Sequence, residues 1–177
     1  MADCAAMRVQ HKVSKEDVYA ITAHVQDGRR CVMPGPSTVV LVRHAEPQPG
    51  GTNPGLTTTG RKRAELLGVM FQDAGLTAVF TSEMRRTQET AQPLAARLSL
   101  VPTVLLGLDI AAHRTRILAV PSGVALVVGH TNTVPPLIAA LGARNTVQIA
   151  ANEFDRMFIV SLGGAGAASV LSLHYRV

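Results

Sequence analysis

Tryptophan is absent from this chain, and four phenylalanines and two tyrosines supply all of its aromatic surface. A core with so few rings is built from Val, Leu, Ile and Ala, which favours α/β layering over an aromatic-rich sandwich. The same scarcity removes the stacking series that binds single-stranded nucleic acid. Cysteine is nearly missing as well. Cys4 and Cys31 show no Cys-x-x-Cys spacing and no histidine arrangement that would suggest zinc, so both read as unpaired thiols and no metal is expected. No apolar run reaches membrane-spanning length, and Asp3, Arg8, His11 and Lys12 stand where a signal peptide needs a continuous apolar stretch. No membrane partner is expected, and the chain is expected to be cytoplasmic. Neither G-x-G-x-x-G nor a lysine-bearing phosphate loop occurs, so no nucleotide cofactor is indicated.

What is present is 177 residues, 47% of them apolar, with a net charge of +5. That length suits one core burying roughly two thirds of the surface of the unfolded chain. The Lys and Arg residues are scattered, which suits attraction of a small anion better than nucleic-acid binding. Residues 1–36 are polar and end in the breaker Met33, Pro34, Gly35, Pro36. Within them Ser14 and Asp17 open an amphipathic helix whose apolar face is Val18, Ile21 and Val25. We therefore expect an N-terminal extension over 1–36 and one domain over 37–177.

Beyond Pro36, strands and helices alternate. Strands are expected at Thr38–Val42, Ala78–Thr81, Leu100–Leu106, Val124–Val128, Arg156–Leu162 and Ala168–Tyr175. Helices are expected at about Thr57–Ala74, from Ser82 or Glu83 to Leu98, at Asp109–Ala119 and at Val134–Leu141. The glycines at 163, 164 and 166 make the last two strands a hairpin. The fold class that follows is α/β: a three-layer sandwich with a mostly parallel central sheet, helices on both faces and an antiparallel C-terminal strand.

Three junctions carry the chemistry. Arg43 and His44 end the run Val39–Val42, and Gly129 and His130 end the run Ala125–Val128. Open α/β sheets bind ligands at the carboxyl ends of their strands, so two cationic tips there call for an anion. At the third junction Arg85 and Arg86 enter on the first turn of a helix that Ser82 could cap, where free amides also favour anions. Arg85 competes with Arg86 for the anion-binding role, its simpler reading being a solvent-facing helix residue. Thr131 and Asn132 follow His130 and either cap the next helix or line the pocket, capping being the simpler role.

These elements resemble the histidine phosphatase superfamily, which includes the phosphoglycerate mutases. Arg43, His44, Ala45 and Glu46 are similar to its Arg-His-Gly signature, and Leu56, Thr57 and Gly60 to its Leu-Thr-x-x-Gly helix entry. Ser82 to Ala91 resembles Ser-x-x-x-Arg-Ala-x-x-Thr-Ala, with Arg86 in the arginine position and Thr87 where alanine is usual. Gly129 and His130 match the second histidine, and Glu153, Phe154 and Asp155 resemble a late segment of short bacterial members. The resemblance implies that His44 attacks phosphorus as the neutral imidazole, while Arg43, Arg86 and His130 hold the non-bridging oxygens. It further implies an acid for the leaving group after the third strand, where Asp109 is the one carboxylate on offer, though Asp109 also sits at a helix N-cap position. Glu153 and Asp155, preceding a strand, are expected at the opposite edge or in a loop. Asn53 is an outside candidate for phosphate, and Glu46 is either a structural acceptor or an orienting group. The implied activity is a metal-independent phosphatase acting on a phosphorylated small molecule or a phosphoprotein. The alternatives are a mutase-like phosphotransferase and a non-catalytic phosphate-binding scaffold.

Overall fold

In the computed structural model, the structure describes residues 36–163 and 168–177. The expected helix within 14–26, both cysteines and the turn residues 164–167 lie outside them. Six strands form one sheet: β1 (Thr38–Arg43), β2 (Leu76–Ser82), β3 (Thr103–Leu105), β4 (Val124–Gly129), β5 (Arg156–Leu162) and β6 (Ala168–His174). Four helices connect them: α1 (Thr58–Phe71), α2 (Arg85–Arg97), α3 (Ile110–Leu118) and α4 (Val134–Ala140). The strand order is β3-β2-β4-β1-β5-β6. β1 to β4 run parallel, and β5 and β6 close the sheet as an antiparallel pair. This is the α/β architecture expected, with boundaries that shift at the ends. The third strand shrinks to three residues, and the second begins two residues earlier, at Leu76.

The layers follow from alternation along the central strands. Val39 and Leu41 of β1 face one side with Ala125 and Val127 of β4, packed against Ile117 of α3 and Leu137 and Ile138 of α4. Val40, Val42, Leu126 and Val128 face the other side, against Leu67 and Phe71 of α1 and Leu94 of α2. Both faces of β1 are therefore buried, which is why its sequence is an unbroken β-branched and leucine run. Arg63 of α1 is drawn into the second layer, where its guanidinium donates to Glu46 and to the Tyr175 carbonyl at 2.6 Å.

Candidate active site

Strand register alone brings the two histidines together. Arg43 pairs with Gly129 across β1 and β4, so the residues that follow leave the sheet side by side. Their ring centroids are 5.2 Å apart with the planes at 63°. The His44 amide donates to the Gly129 carbonyl at 2.9 Å. Gly129 itself is required, because a Cβ there would meet Thr133 Oγ1 at 2.9 Å and the Val134 side chain at 3.0 Å. Thr133 Oγ1 accepts from the His130 amide at 2.8 Å and holds the turn into α4. Thr133, rather than Thr131 or Asn132, occupies the N-cap position of α4, so the capping role expected of those two does not hold. Asn132 instead lines the cleft beside His130, while Thr131 is half-buried in the turn.

His44 is buried, and its Nδ1–H donates to the Ala45 carbonyl at 2.8 Å. A carbonyl only accepts, so this bond assigns the proton to Nδ1 and leaves the lone pair on Nε2. Burial lowers the His44 pKa to about 3, against the upward pull of the Ala45 bond and with help from the charges of His130, Arg43 and Arg86. Burial, then Arg86 and Arg43, lowers His130 to about 4, with Glu83 acting upward. Both imidazoles are thus uncharged near neutral pH.

Arg43 is positioned by the chain's late segment. Its Nη1 donates to the carbonyls of Ala150, Ala151 and Glu153 at 3.1, 2.9 and 3.0 Å. Its guanidinium carbon lies 4.0 Å from the centre of the Phe154 ring, which also stands 5.9 Å from the His44 ring. Glu153 and Asp155 were expected at the opposite edge or in a loop; the stretch is a loop, but it lies at the site. The reason is that β5 runs antiparallel to β1, pairing Met157 with Val42, so its beginning meets the strand tips. The carboxylates themselves are committed to the framework. Glu153 accepts from the Ala150 amide at 2.8 Å, and Asp155 binds His174 and Arg176.

Arg86 is half-buried and lines the cleft with His130. The Arg43 pKa is lowered chiefly by Arg43's own burial and further by the Arg86 charge. Arg86 stands on the first turn of α2, but Ser82 is not the N-cap expected. Met84 takes that position without a side-chain cap, and Asn53 Oδ1 accepts from the Arg85 amide at 2.8 Å. Asn53 therefore supports the helix start. Ser82 Oγ meets Thr87 Oγ1 at 2.9 Å, and Thr87, buried, also donates to the Met84 carbonyl at 2.7 Å. A hydroxyl in place of the usual alanine is accommodated because every partner is in place. Thr90, whose part the sequence reading did not anticipate, accepts from the Ala45 amide at 2.9 Å and ties α2 to the loop carrying His44.

The same loop is anchored from α1. Thr57 accepts from the Gly60 amide at 3.0 Å as the helix cap, and a Cβ on Gly60 would stand 2.4 Å from the Glu46 carbonyl oxygen. The Leu-Thr-x-x-Gly pattern is thus the close approach of α1 to Glu46. Glu46 forms a bidentate pair with Arg63, the shortest contact being 2.7 Å. Burial works against its ionisation, but the Arg63 bonds outweigh it and hold the carboxyl below the ordinary range. Glu46 is a structural acceptor. Asp109 Oδ1 accepts from the Ala112 amide at 2.9 Å and caps α3. The carboxylate that lines the cleft with Arg86 and His130 is Glu83, which the sequence reading passed over. Among the described residues, no group of three or more His, Cys, Asp or Glu side chains is placed to hold a metal ion. Two guanidinium charges and two uncharged imidazoles, gathered at neighbouring strand tips and the first turn of α2, suit an anion.

Comparison with known proteins finds a family likeness over part of the chain and a set of similar folds. The profile of the histidine phosphatase superfamily (branch 1) matches residues 39–109, which carry His44 and Arg86. No curated protein sequence matches the chain. The fold is similar to the protein histidine phosphatase SixA complexed with tungstate, at 20% identity and a TM-score of 0.64, covering 77% of this chain and 96% of that one. It is also similar to the alpha-ribazole phosphatase of Shigella flexneri, at 17% identity and a TM-score of 0.58, covering 79% and 97%. A mycobacterial glucosyl-3-phosphoglycerate phosphatase is similar at 15% identity and a TM-score of 0.57, covering 80% and 99%. The likeness to these solved structures is one of fold. The matched segment, which carries the first histidine and the α2 arginine, is similar to the histidine phosphatase superfamily over 71 of the 177 residues.

Proposed function

We propose that the chain is a phosphatase that hydrolyses a phosphomonoester or phosphohistidine through a covalent phosphohistidine on His44. The observation that carries this reading is the His44 ring itself: its Nδ1–H donates to the Ala45 carbonyl, the ring is uncharged with its lone pair on Nε2, and it stands beside the His130 ring. In the first step the Nε2 lone pair bonds to phosphorus as the bond to the leaving group breaks. In the second, water attacks phosphorus, the Nε2–P bond breaks and inorganic phosphate leaves. Charge spreads over the non-bridging oxygens in both steps, and Arg43, Arg86 and His130 supply the compensating donors. Among the described residues, the buried His130 Nε2 and Arg43 Nε have no protein hydrogen-bond partner, which fits donors kept for a ligand oxygen.

Asp109 remains the acid that the superfamily resemblance suggested, but its carboxylate is engaged in capping α3. Leaving groups that depart unaided, such as phosphohistidine and acyl phosphates, need no help from a carboxylate so engaged. The stretch between β3 and β4 is one short helix, leaving the cleft open on that side and favouring water over a retained second substrate. The solved structures of like fold described above are all named as phosphatases, which points the same way.

The test is to incubate the protein with a phosphorus-labelled acyl phosphate or phosphohistidine protein and quench in alkali. Label that survives alkali but is lost in acid is expected on the wild-type chain and absent from His44→Ala. Equal labelling of both would overturn the nucleophile assignment.

A further inference from the structure

The cleft has a wall that the phosphate-binding groups do not use. Glu83 follows directly on the tip of β2, and its Oε2 accepts from the Gly107 amide at 2.7 Å, which pins the carboxylate in place. Gly107 marks where the two walls meet: a Cβ at that position would lie 3.5 Å from Glu83 Oε2 and 3.8 Å from His130 Cε1. The leucines on either side of Gly107 are unusually open for their type, Leu106 at 68% and Leu108 at 78% exposure. Leu108, Met84 and Glu83 line the cleft with Arg86 and His130. A phosphoryl dianion is balanced by the charges of Arg43 and Arg86, because both histidines are neutral. What this wall then offers the rest of the substrate is a fixed carboxylate and apolar side chains.

We propose that Glu83 and Leu108 select the leaving group: the site takes phosphoryl groups carried on an apolar-faced leaving group that is neutral or positively charged, and rejects one bearing a second negative charge. This rests on the phosphatase reading above. The physical basis is simple. A substrate carboxylate or second phosphate would approach the Glu83 carboxylate while the Arg43 and Arg86 charges are already matched by the phosphoryl group. An aryl or alkyl face would leave water on Leu108.

Three aryl phosphates test the idea, with 4-(aminomethyl)phenyl, 4-methylphenyl and 4-(carboxymethyl)phenyl leaving groups. The methylene insulates the ring, so the three differ mainly in charge. On the wild-type chain, kcat/KM for the ammonium and methyl compounds is expected to exceed that for the carboxylate compound tenfold or more. Glu83→Gln keeps an oxygen to accept from the Gly107 amide and removes only the charge, and it is expected to shrink the ammonium-to-carboxylate ratio at least threefold. The ratio is internal, so a general loss of activity does not disguise the result. Leu108→Ser is expected to lower kcat/KM for the methyl compound relative to acetyl phosphate several-fold. Equal rates on the three aryl phosphates, or a ratio unchanged by Glu83→Gln, would overturn the proposal. Turnover of acetyl phosphate with none of the aryl compounds would overturn it and leave the phosphatase reading standing. No turnover of any compound, with no alkali-stable label on His44, would overturn both.

Discussion

An imidazole that attacks phosphorus has to be uncharged, and His44 is kept so chiefly by burial, with neighbouring positive charge adding to the effect. The same physics sets a cost in acid. The folded pKa values of about 3 for His44 and about 4 for His130 lie below the ordinary value of about 6.5 for an unfolded histidine. Buried His113 is shifted in the same direction. Between those limits the unfolded chain binds more protons than the folded one, so stability rises with pH through this window and is lost as pH falls below about 6.5. The carboxylates with lowered pKa values, Glu46, Glu89 and Asp155, lose their contribution only at lower pH. A comparison of about pH 7.5 with about pH 5 therefore isolates the histidines. The urea midpoint is expected to fall across that interval, and His44→Asn, whose amide can still donate to the Ala45 carbonyl, is expected to flatten part of the fall. A midpoint that does not move would show that these rings are not held neutral.

Elements place the groups proposed to react by a few bonds between strand tips and helices, and the Thr90 bond is the clearest of these. The Thr90 hydroxyl accepts from the Ala45 amide and donates to the Arg86 carbonyl at 2.7 Å, linking both halves of the cradle. Thr90→Val keeps the shape and strands the amide, at an expected cost of about 1–3 kcal/mol. For a domain of this size that lowers Tm by about 2–4 °C per kcal/mol. A fall in kcat is expected alongside, because the Ala45 carbonyl orients His44, and Thr90→Ser is expected to recover both. Melting curves and initial rates on the three proteins decide the matter. How much of this could be read beforehand varies by element. The apolar runs of β1 and β4 end in Arg43-His44 and Gly129-His130, and parallel pairing makes their tips neighbours without further information. The late segment was misplaced because strand direction is not written in an apolar run: Met157–Leu162 reads alike either way, and only its antiparallel pairing with β1 brings Phe154 to Arg43. Asp109 was legible as a cap from its spacing to α3. Glu83 had a signal too, a carboxylate one residue beyond a strand tip, but its proximity to His130 depends on the path of the Gly107 loop.

At the scale of the whole molecule, the net charge of +5 becomes a statement about encounter rather than fold. Residues 1–35 carry five Lys and Arg against four Asp and Glu, so +4 of the +5 belongs to residues 36–177. That part also contains every strand of the sheet and both apolar layers that cover it. If the excess charge steers an anionic substrate, kcat/KM is the quantity that feels it, since kcat is measured after binding. Raising ionic strength from about 0.01 M to about 0.15 M shortens the screening length from about 30 Å to about 8 Å. We expect kcat/KM for a phosphorylated substrate to fall several-fold over that range with kcat unchanged. A chain beginning at Pro36 is expected to fold cooperatively and to show nearly the same slope, because it keeps most of the charge. Steady-state kinetics on the full and shortened chains at the two ionic strengths measure both. A flat kcat/KM in the full chain would show that encounter is not steered, and a slope lost on shortening would assign the steering to residues 1–35.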